Sequence, residues 1–142
     1  MTGSSRITGD IGTPFQKSLG LRWSIENKET GAIAVEMDIR DDLRGPAGSV
    51  EGGVVSTVAD VAGASAIGFK VGLVATEHIA ISFLAPGRVG PVKATATPLR
   101  IGKHDGVAEV RVVDTGKKNR LMAVATVTVR ILGSGSRPGS SA

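Results

Sequence analysis

The sequence predicts an α+β fold in which one long central helix is wrapped by a curved antiparallel sheet of about five to six strands. Three observations predict it. A glycine pair, Gly52-Gly53, opens a run to Gly68 that is apolar or small almost throughout. Four short alternating segments follow, punctuated by turn residues. The spacers between those segments are too short for helical crossovers, so neighbours pair as antiparallel hairpins.

The elements follow in chain order. The first and last ten residues, MTGSSRITGD and GSGSRPGSSA, are rich in glycine and serine. They give a flexible N-terminus over 1–12, one domain over 13–132 and a flexible tail over 133–142. Thr13-Pro14 supplies a capping hydroxyl and a first-position proline for a short helix that Gly20 ends. Ile33, Val35, Met37 and Ile39 alternate with Ala34, Glu36 and Asp38, which predicts a half-buried strand over 32–39. Residues 41–48, DDLRGPAG, read as a loop. The glycine pair then starts a helix of about 17 residues, close to 25 Å long, apolar on most of its circumference and so buried on most sides. Gly63, Ala64 and Gly68 are small where a neighbour can press close. Strands are expected over 76–84, 92–101, 107–114 and 121–132, with Pro98 marking an edge position or a bulge.

Composition narrows the function. The chain has 142 residues, enough for a core without staples. It has no cysteine, which excludes disulfides, thiolate metal sites and cysteine nucleophiles. Two histidines are too few for a His-rich metal centre, so no metal is expected. Aromatic residues make up 3%, against stacking-based recognition of nucleic acid. The net charge of +4 suits anionic ligands as well as an ordinary solvated surface. There is no P-loop or dinucleotide fingerprint. The N-terminus has no apolar segment of signal-peptide type and no apolar run is long and clean enough to span a bilayer. A cytoplasmic protein with no nucleic-acid or membrane partner is expected.

Asp60 lies eight residues after Gly52 on the apolar helix, with no basic neighbour in sequence. A carboxylate there is costly to desolvate unless it has a partner or a task. Glycines at a helix start leave free N–H groups able to hold a developing negative charge. Together these are the minimum equipment for attacking an acyl carbon. Eight helical residues span about 12 Å, so one carbonyl carbon cannot meet both groups of the same helix. A composite site at a two-fold dimer interface is the consequence.

These segments, GSVEGGVVSTVADVAGASA, TEHIAISFLAPG and the strands after them, resemble the hotdog-fold thioesterases, in particular the PaaI-like acyl-CoA thioesterases. The resemblance covers roughly residues 30 to 132. The family's helix-start motif is Asn-x-x-Gly-x-x-His-Gly-Gly with a carboxylate eight residues after the first of the paired glycines. Gly48, Gly52, Gly53 and Asp60 fall at matching positions, and Phe83, Leu84 and Pro86 match a Phe-Leu-x-Pro turn. Two positions depart from it: Glu51 stands where histidine is usual, and Gly45 where asparagine or glutamine is usual.

The resemblance implies hydrolysis of a small, aromatic or medium-chain acyl-CoA to free acid and coenzyme A. It implies Asp60 as general base or nucleophile, the Gly52 N–H as the group polarising the thioester carbonyl, and no cofactor beyond the coenzyme A of the substrate. Glu51, Gly53, Thr57, Ser65, His78 and Phe83 are the candidate substrate-binding residues, and Arg88, Arg100 and Lys103 the candidates for the coenzyme A phosphates. A homodimer with interface sites, pairing again into a dimer of dimers, is the implied assembly. The rival expectation is a hotdog protein that binds acyl-CoA without turnover, because residues 45 and 51 lack the usual donors.

Overall fold

The computed structural model describes residues 4–133. Its elements run β1 (Ser5–Arg6), α1 (Pro14–Ser18), β2 (Arg22–Asn27), β3 (Ala32–Met37), α2 (Gly52–Val71), β4 (Leu73–Phe83), β5 (Val92–Ile101), β6 (Asp105–Asp114) and β7 (Arg120–Gly133). The strands form one antiparallel sheet in the order β1-β2-β3-β5-β6-β7-β4. Helix α2 packs against β3 through β7. This is the expected central helix and curved sheet, with seven strands in place of five or six.

β2 is the main strand missing from the sequence expectation. Trp23 and Ile25 alternate there with Arg22, Ser24 and Glu26, and Trp23 is buried against the core. β1 lies inside the stretch expected to be flexible, yet Ser5 and Arg6 pair with Ile25 and Ser24. Of the expected flexible tail, residues 134–142 lie outside the described residues. Helix α1 forms as predicted: Thr13 and Gln16 exchange backbone-to-side-chain hydrogen bonds in a capping box. Gly20 follows with φ +68°, a left-handed turn that glycine adopts at no steric cost.

Helix α2 runs three residues past the expected end. Gly68 stays helical, and Gly72, at φ +105°, caps the helix by donating its N–H to the Gly68 carbonyl at 2.8 Å. The helix has an 18-residue stretch apolar enough to cross a membrane by length and composition. Its apolarity is spent on the core instead: Val58, Ala59, Ala62 and Ile67 are fully buried beneath the sheet. Full burial of a valine or isoleucine side chain contributes about 1.5–3 kcal/mol.

Pro98 sits at a bulge. The β5–β6 register shifts between Pro98 and Arg100, and on the other side the β3–β5 pairing stops at Ala96. A proline, which has no N–H to give a ladder, is tolerated at such a bulge.

The tightest approach of helix to sheet is at Gly63. A Cβ built there would lie 2.6 Å from the Cβ of Val127, a stiff β-branched side chain in the middle of β7. Gly63→Ala gains about 1 kcal/mol of helix propensity but overpacks a well-filled contact, which costs about 1–3 kcal/mol. A Cβ on Gly68 would meet Val74 at an ordinary 3.6 Å. Thermal melts are expected to show Gly63→Ala less stable than the parent and Gly68→Ala equal or more stable.

Candidate active site

The segment before α2 is pinned on several sides. Glu51 donates its N–H to the Leu43 carbonyl at 3.0 Å, and Val50 donates to Gly87 at 2.9 Å. The Glu51 carbonyl accepts from Val54 and Val55, which starts the helical ladder. Among the described residues the N–H groups of Gly52 and Gly53 have no acceptor. These are the orphan donors of a helix start, and two hollows flank them. One, of about 370 Å³, is lined by Gly52, Val55, Phe83, Leu84, Gly87 and Met122 among others. The second, of about 450 Å³, is lined by Gly45, Pro46, Ala47, Glu51, Gly52 and Gly53 among others.

Phe83 lies against the helix start, its ring 3.4 Å from where a Gly52 Cβ would stand. Phe83 and Leu84 are each more than half exposed, an apolar rim beside polar N–H groups. Glu51 is exposed at the N-cap and makes no capping hydrogen bond with its side chain. That side chain instead covers Gly45: a Cβ there would lie 3.2 Å from Glu51 Cγ.

Asp60 is half-buried two turns into α2. Among the described residues it forms no ion pair, and its carboxylate Oδ1 accepts a hydrogen bond of 2.6 Å from the Thr76 hydroxyl on β4. Sequence reasoning missed Thr76, because a regular alternation along β4 places it with His78 on the outer face. A bulge at Glu77 changes this: Thr76 pairs with Val129 and Ile79 with Val127, both fully buried valines of the helix-facing side. His78 pairs with Thr128 on the opposite face, is exposed, and stands on the other side of the sheet from Asp60.

Other candidates have local partners. Thr57 donates its hydroxyl to the Gly53 carbonyl at 3.0 Å, back-bonding along the helix. Ser65 accepts from the Trp23 indole N–H at 3.0 Å and so joins α2 to β2. Neither of these hydrogen bonds involves Asp60. The three basic candidates are not brought together within one chain. Arg88 sits by the helix start, its guanidinium donating to the Ala47 carbonyl. Arg100, paired with Asp105, and Lys103 belong to the β5–β6 turn. That turn packs near Ile67, where a Gly106 Cβ would be 3.0 Å away, roughly fifteen residues or about 22 Å along α2 from Gly52.

Asp114 is a second residue the sequence reading passed over, as the mere end of a strand. It is fully buried. Its carboxylate accepts N–H groups from Arg88 at 2.9 Å, Val89 at 3.1 Å, Gly90 at 2.7 Å and Gly116 at 3.2 Å. Burial alone pushes the carboxyl pKa up; the four backbone donors outweigh burial and hold it below the usual value. The carboxylate thereby anchors the β4–β5 connection, which walls the apolar hollow and carries Arg88. Gly116 is a local donor two residues on, and tertiary contact brings the other three N–H groups around it, so no local pattern announces the anchoring role.

One long helix wrapped by a curved antiparallel sheet is the hotdog architecture. The sequence profile of the thioesterase superfamily matches residues 47–121, and the chain belongs to that family. It is 28% identical to the 1,4-dihydroxy-2-naphthoyl-CoA hydrolase of Listeria monocytogenes, over 82% of this chain and 95% of that one. It is 34% identical to a Halobacterium salinarum protein provisionally named an esterase, over 63% of this chain. There the match spans 64% of the relative's length. Among solved structures, the E. coli PaaI protein of the phenylacetic acid degradation operon superposes with a TM-score of 0.77 and 25% identity, over 86% of each chain.

Asp114 generates a test of this architecture. Its folded-state pKa is depressed, so the charged carboxylate stabilises the fold above its unfolded value, near 3.9, and that contribution is lost as pH falls through the folded value. Asp114→Asn places an amide NH₂ among N–H donors and is expected to lose about 2–3 kcal/mol at pH 7. Chemical denaturation at pH 7 and near pH 3 is expected to show the gap between parent and variant closing at the lower pH.

Proposed function

We propose that the protein hydrolyses an acyl-CoA thioester to the free acid and coenzyme A. The observation that carries this reading is the pairing of free Gly52 and Gly53 N–H groups with Asp60 on one helix of a thioesterase-family chain. In the general-base route a water oxygen bonds to the acyl carbon while its proton passes to Asp60. The carbonyl oxygen takes up the negative charge and is held by the Gly52 N–H, with the helix N-terminus adding about 0.3–1 kcal/mol. Collapse breaks the carbon–sulfur bond, and the departing thiolate takes up the proton. In the nucleophilic route Asp60 itself attacks, the carbon–sulfur bond breaks to release the thiolate, and water then cleaves the mixed anhydride, protonating the thiolate. A small, aromatic or medium-chain acyl group fits the apolar hollow beside Phe83, and neither route calls for a metal or bound cofactor.

The 12 Å between Gly52 and Asp60 along one helix requires the two groups to come from different subunits. The free edge of β4, the last strand of the sheet, supports a homodimer, because an unpaired edge is a template for a second chain. Coenzyme A meets a similar constraint: Arg88 by the helix start and the Arg100–Lys103 turn lie about 22 Å apart along α2, and serve one molecule across subunits. Pairing of dimers into a tetramer is part of this proposal.

A second reading, acyl-CoA binding without turnover, is favoured by one observation. Glu51 and Gly45 together place an acceptor beside the helix start where the family pattern has donors. Thiol release from an acyl-CoA panel, with calorimetric binding in parallel, separates the two; binding with no thiol released supports the second reading.

Three outcomes are expected for hydrolysis at a composite site. Asp60→Asn is expected to lower kcat by at least about 10²-fold with an unchanged melting temperature; full activity in that variant removes Asp60 from the chemistry. Gly52→Pro keeps a residue suited to the first helical position and deletes its N–H, at a cost of about 10²-fold in kcat. Unfolding and refolding the two variants together, in equal amounts, is expected to restore about a quarter of parental activity, since half the dimers then hold one intact site. A mixture as inactive as its components places both groups of each site in one chain.

A further inference from the structure

We infer that Thr76 is a positioning residue that fixes the Asp60 carboxylate for proton abstraction, an inference that rests on the general-base reading above. The helix itself offers Asp60 no such support. Residue 64, one turn on, is alanine; the Thr57 hydroxyl is bonded to Gly53 and the Ser65 oxygen to Trp23. The hydroxyl that reaches Asp60 comes from the sheet, at 2.6 Å, a length typical of charge-assisted O–H···O⁻ bonds.

The backbone device that puts it there is the bulge at Glu77. With regular alternation Thr76 shares the outer face with His78 and stands across the sheet from the helix. One inserted residue returns it to the face of Ile79 and Ile81, opposite α2. Bulges next to sites commonly re-aim a side chain in this way. Because the hydrogen bond occupies Oδ1, the carboxylate cannot spin freely about its terminal torsion, and Oδ2 is left as the acceptor for a water proton. Thr76 touches neither water nor thioester in this scheme; it acts through Asp60. Its β-branched side chain has few rotamers, so the hydroxyl is held with little entropy to lose.

The test compares Thr76→Val, Thr76→Ser and Asp60→Asn in purified full-length protein, by steady-state kinetics on the best acyl-CoA of the panel and by thermal melting. Thr76→Val keeps the shape and deletes the hydroxyl; it is expected to lower kcat about 10- to 100-fold, with KM and melting temperature little changed. Thr76→Ser restores the donor and is expected to recover most of kcat. A Thr76→Val enzyme with parental kcat, or a loss that serine does not rescue, overturns the inference while an inactive Asp60→Asn leaves the general base in place. A kcat that falls only in step with melting temperature also overturns it, since a merely structural tie behaves so. An active Asp60→Asn overturns the general-base reading and this inference together.

Discussion

Backbone hydrogen bonds fix the start of α2 from several directions, and the rest of the site takes its geometry from that point. Leu43 holds Glu51, Gly87 holds Val50, and the Glu51 carbonyl accepts the N–H groups of Val54 and Val55. Gly52 and Gly53 are left pointing their donors at space between two hollows. A helix start of this kind attracts negative charge because its N–H groups and the aligned peptide dipoles add. Asp114 extends the same clamp. By gathering the N–H groups of Arg88, Val89 and Gly90 it prevents the β4–β5 connection from lifting off the helix start. An ionised carboxylate with no solvent contact is tolerable only because four donors surround it.

Packing along the rest of α2 explains why a carboxylate can sit where Asp60 does. Ala59, Ala62 and Gly63 around it are small, so the helix lies close to the sheet and its flank faces β4. At that distance a threonine on β4 reaches the carboxylate directly, as Thr76 does. Larger side chains at these helix positions would increase buried area but push the helix away from the strand. The stability that small residues forgo is recovered from the valines beneath them, among them Val110, Val112, Val127 and Val129, all fully buried.

The sequence carried the helix, its glycine start and most strands because each has a local cause: period-two alternation, turn residues, or a proline at a bulge. β2 had the same signal in Trp23 and Ile25 and was legible to a closer count. The helix end was ambiguous, since Gly68 and Gly72 both suit a terminus and only tertiary packing decides between them. Asp60 and Gly52 stood out by chemistry alone. The surroundings of Thr76, Ser65, His78 and Asp114 were not legible, for two reasons. A one-residue bulge at Glu77 reverses which residues face the helix upstream of it, and alternation cannot reveal an insertion. The Ser65 and Asp114 partners lie 42 and about 25 residues away in sequence, beyond the reach of any local pattern.

The substitutions at positions 45 and 51 are one event in space. The Glu51 side chain lies over Gly45, so a Cβ at 45 would stand 3.2 Å from its Cγ and press the glutamate aside by a few tenths of an ångström. Replacing a donor pair by a single acceptor removes side-chain help for a developing oxyanion and adds a charge of the same sign nearby. In the proposed chemistry the burden then falls on backbone donors alone, backed by a partial charge of about +0.5 at the helix start. The Glu51 carboxylate has no hydrogen-bonding partner among the described residues, so its acceptor capacity is available to a ligand. A thioester substrate bearing a hydrogen-bond donor near its carbonyl would satisfy that carboxylate and offset its repulsion, whereas a plain alkyl acyl group would leave it unpaired.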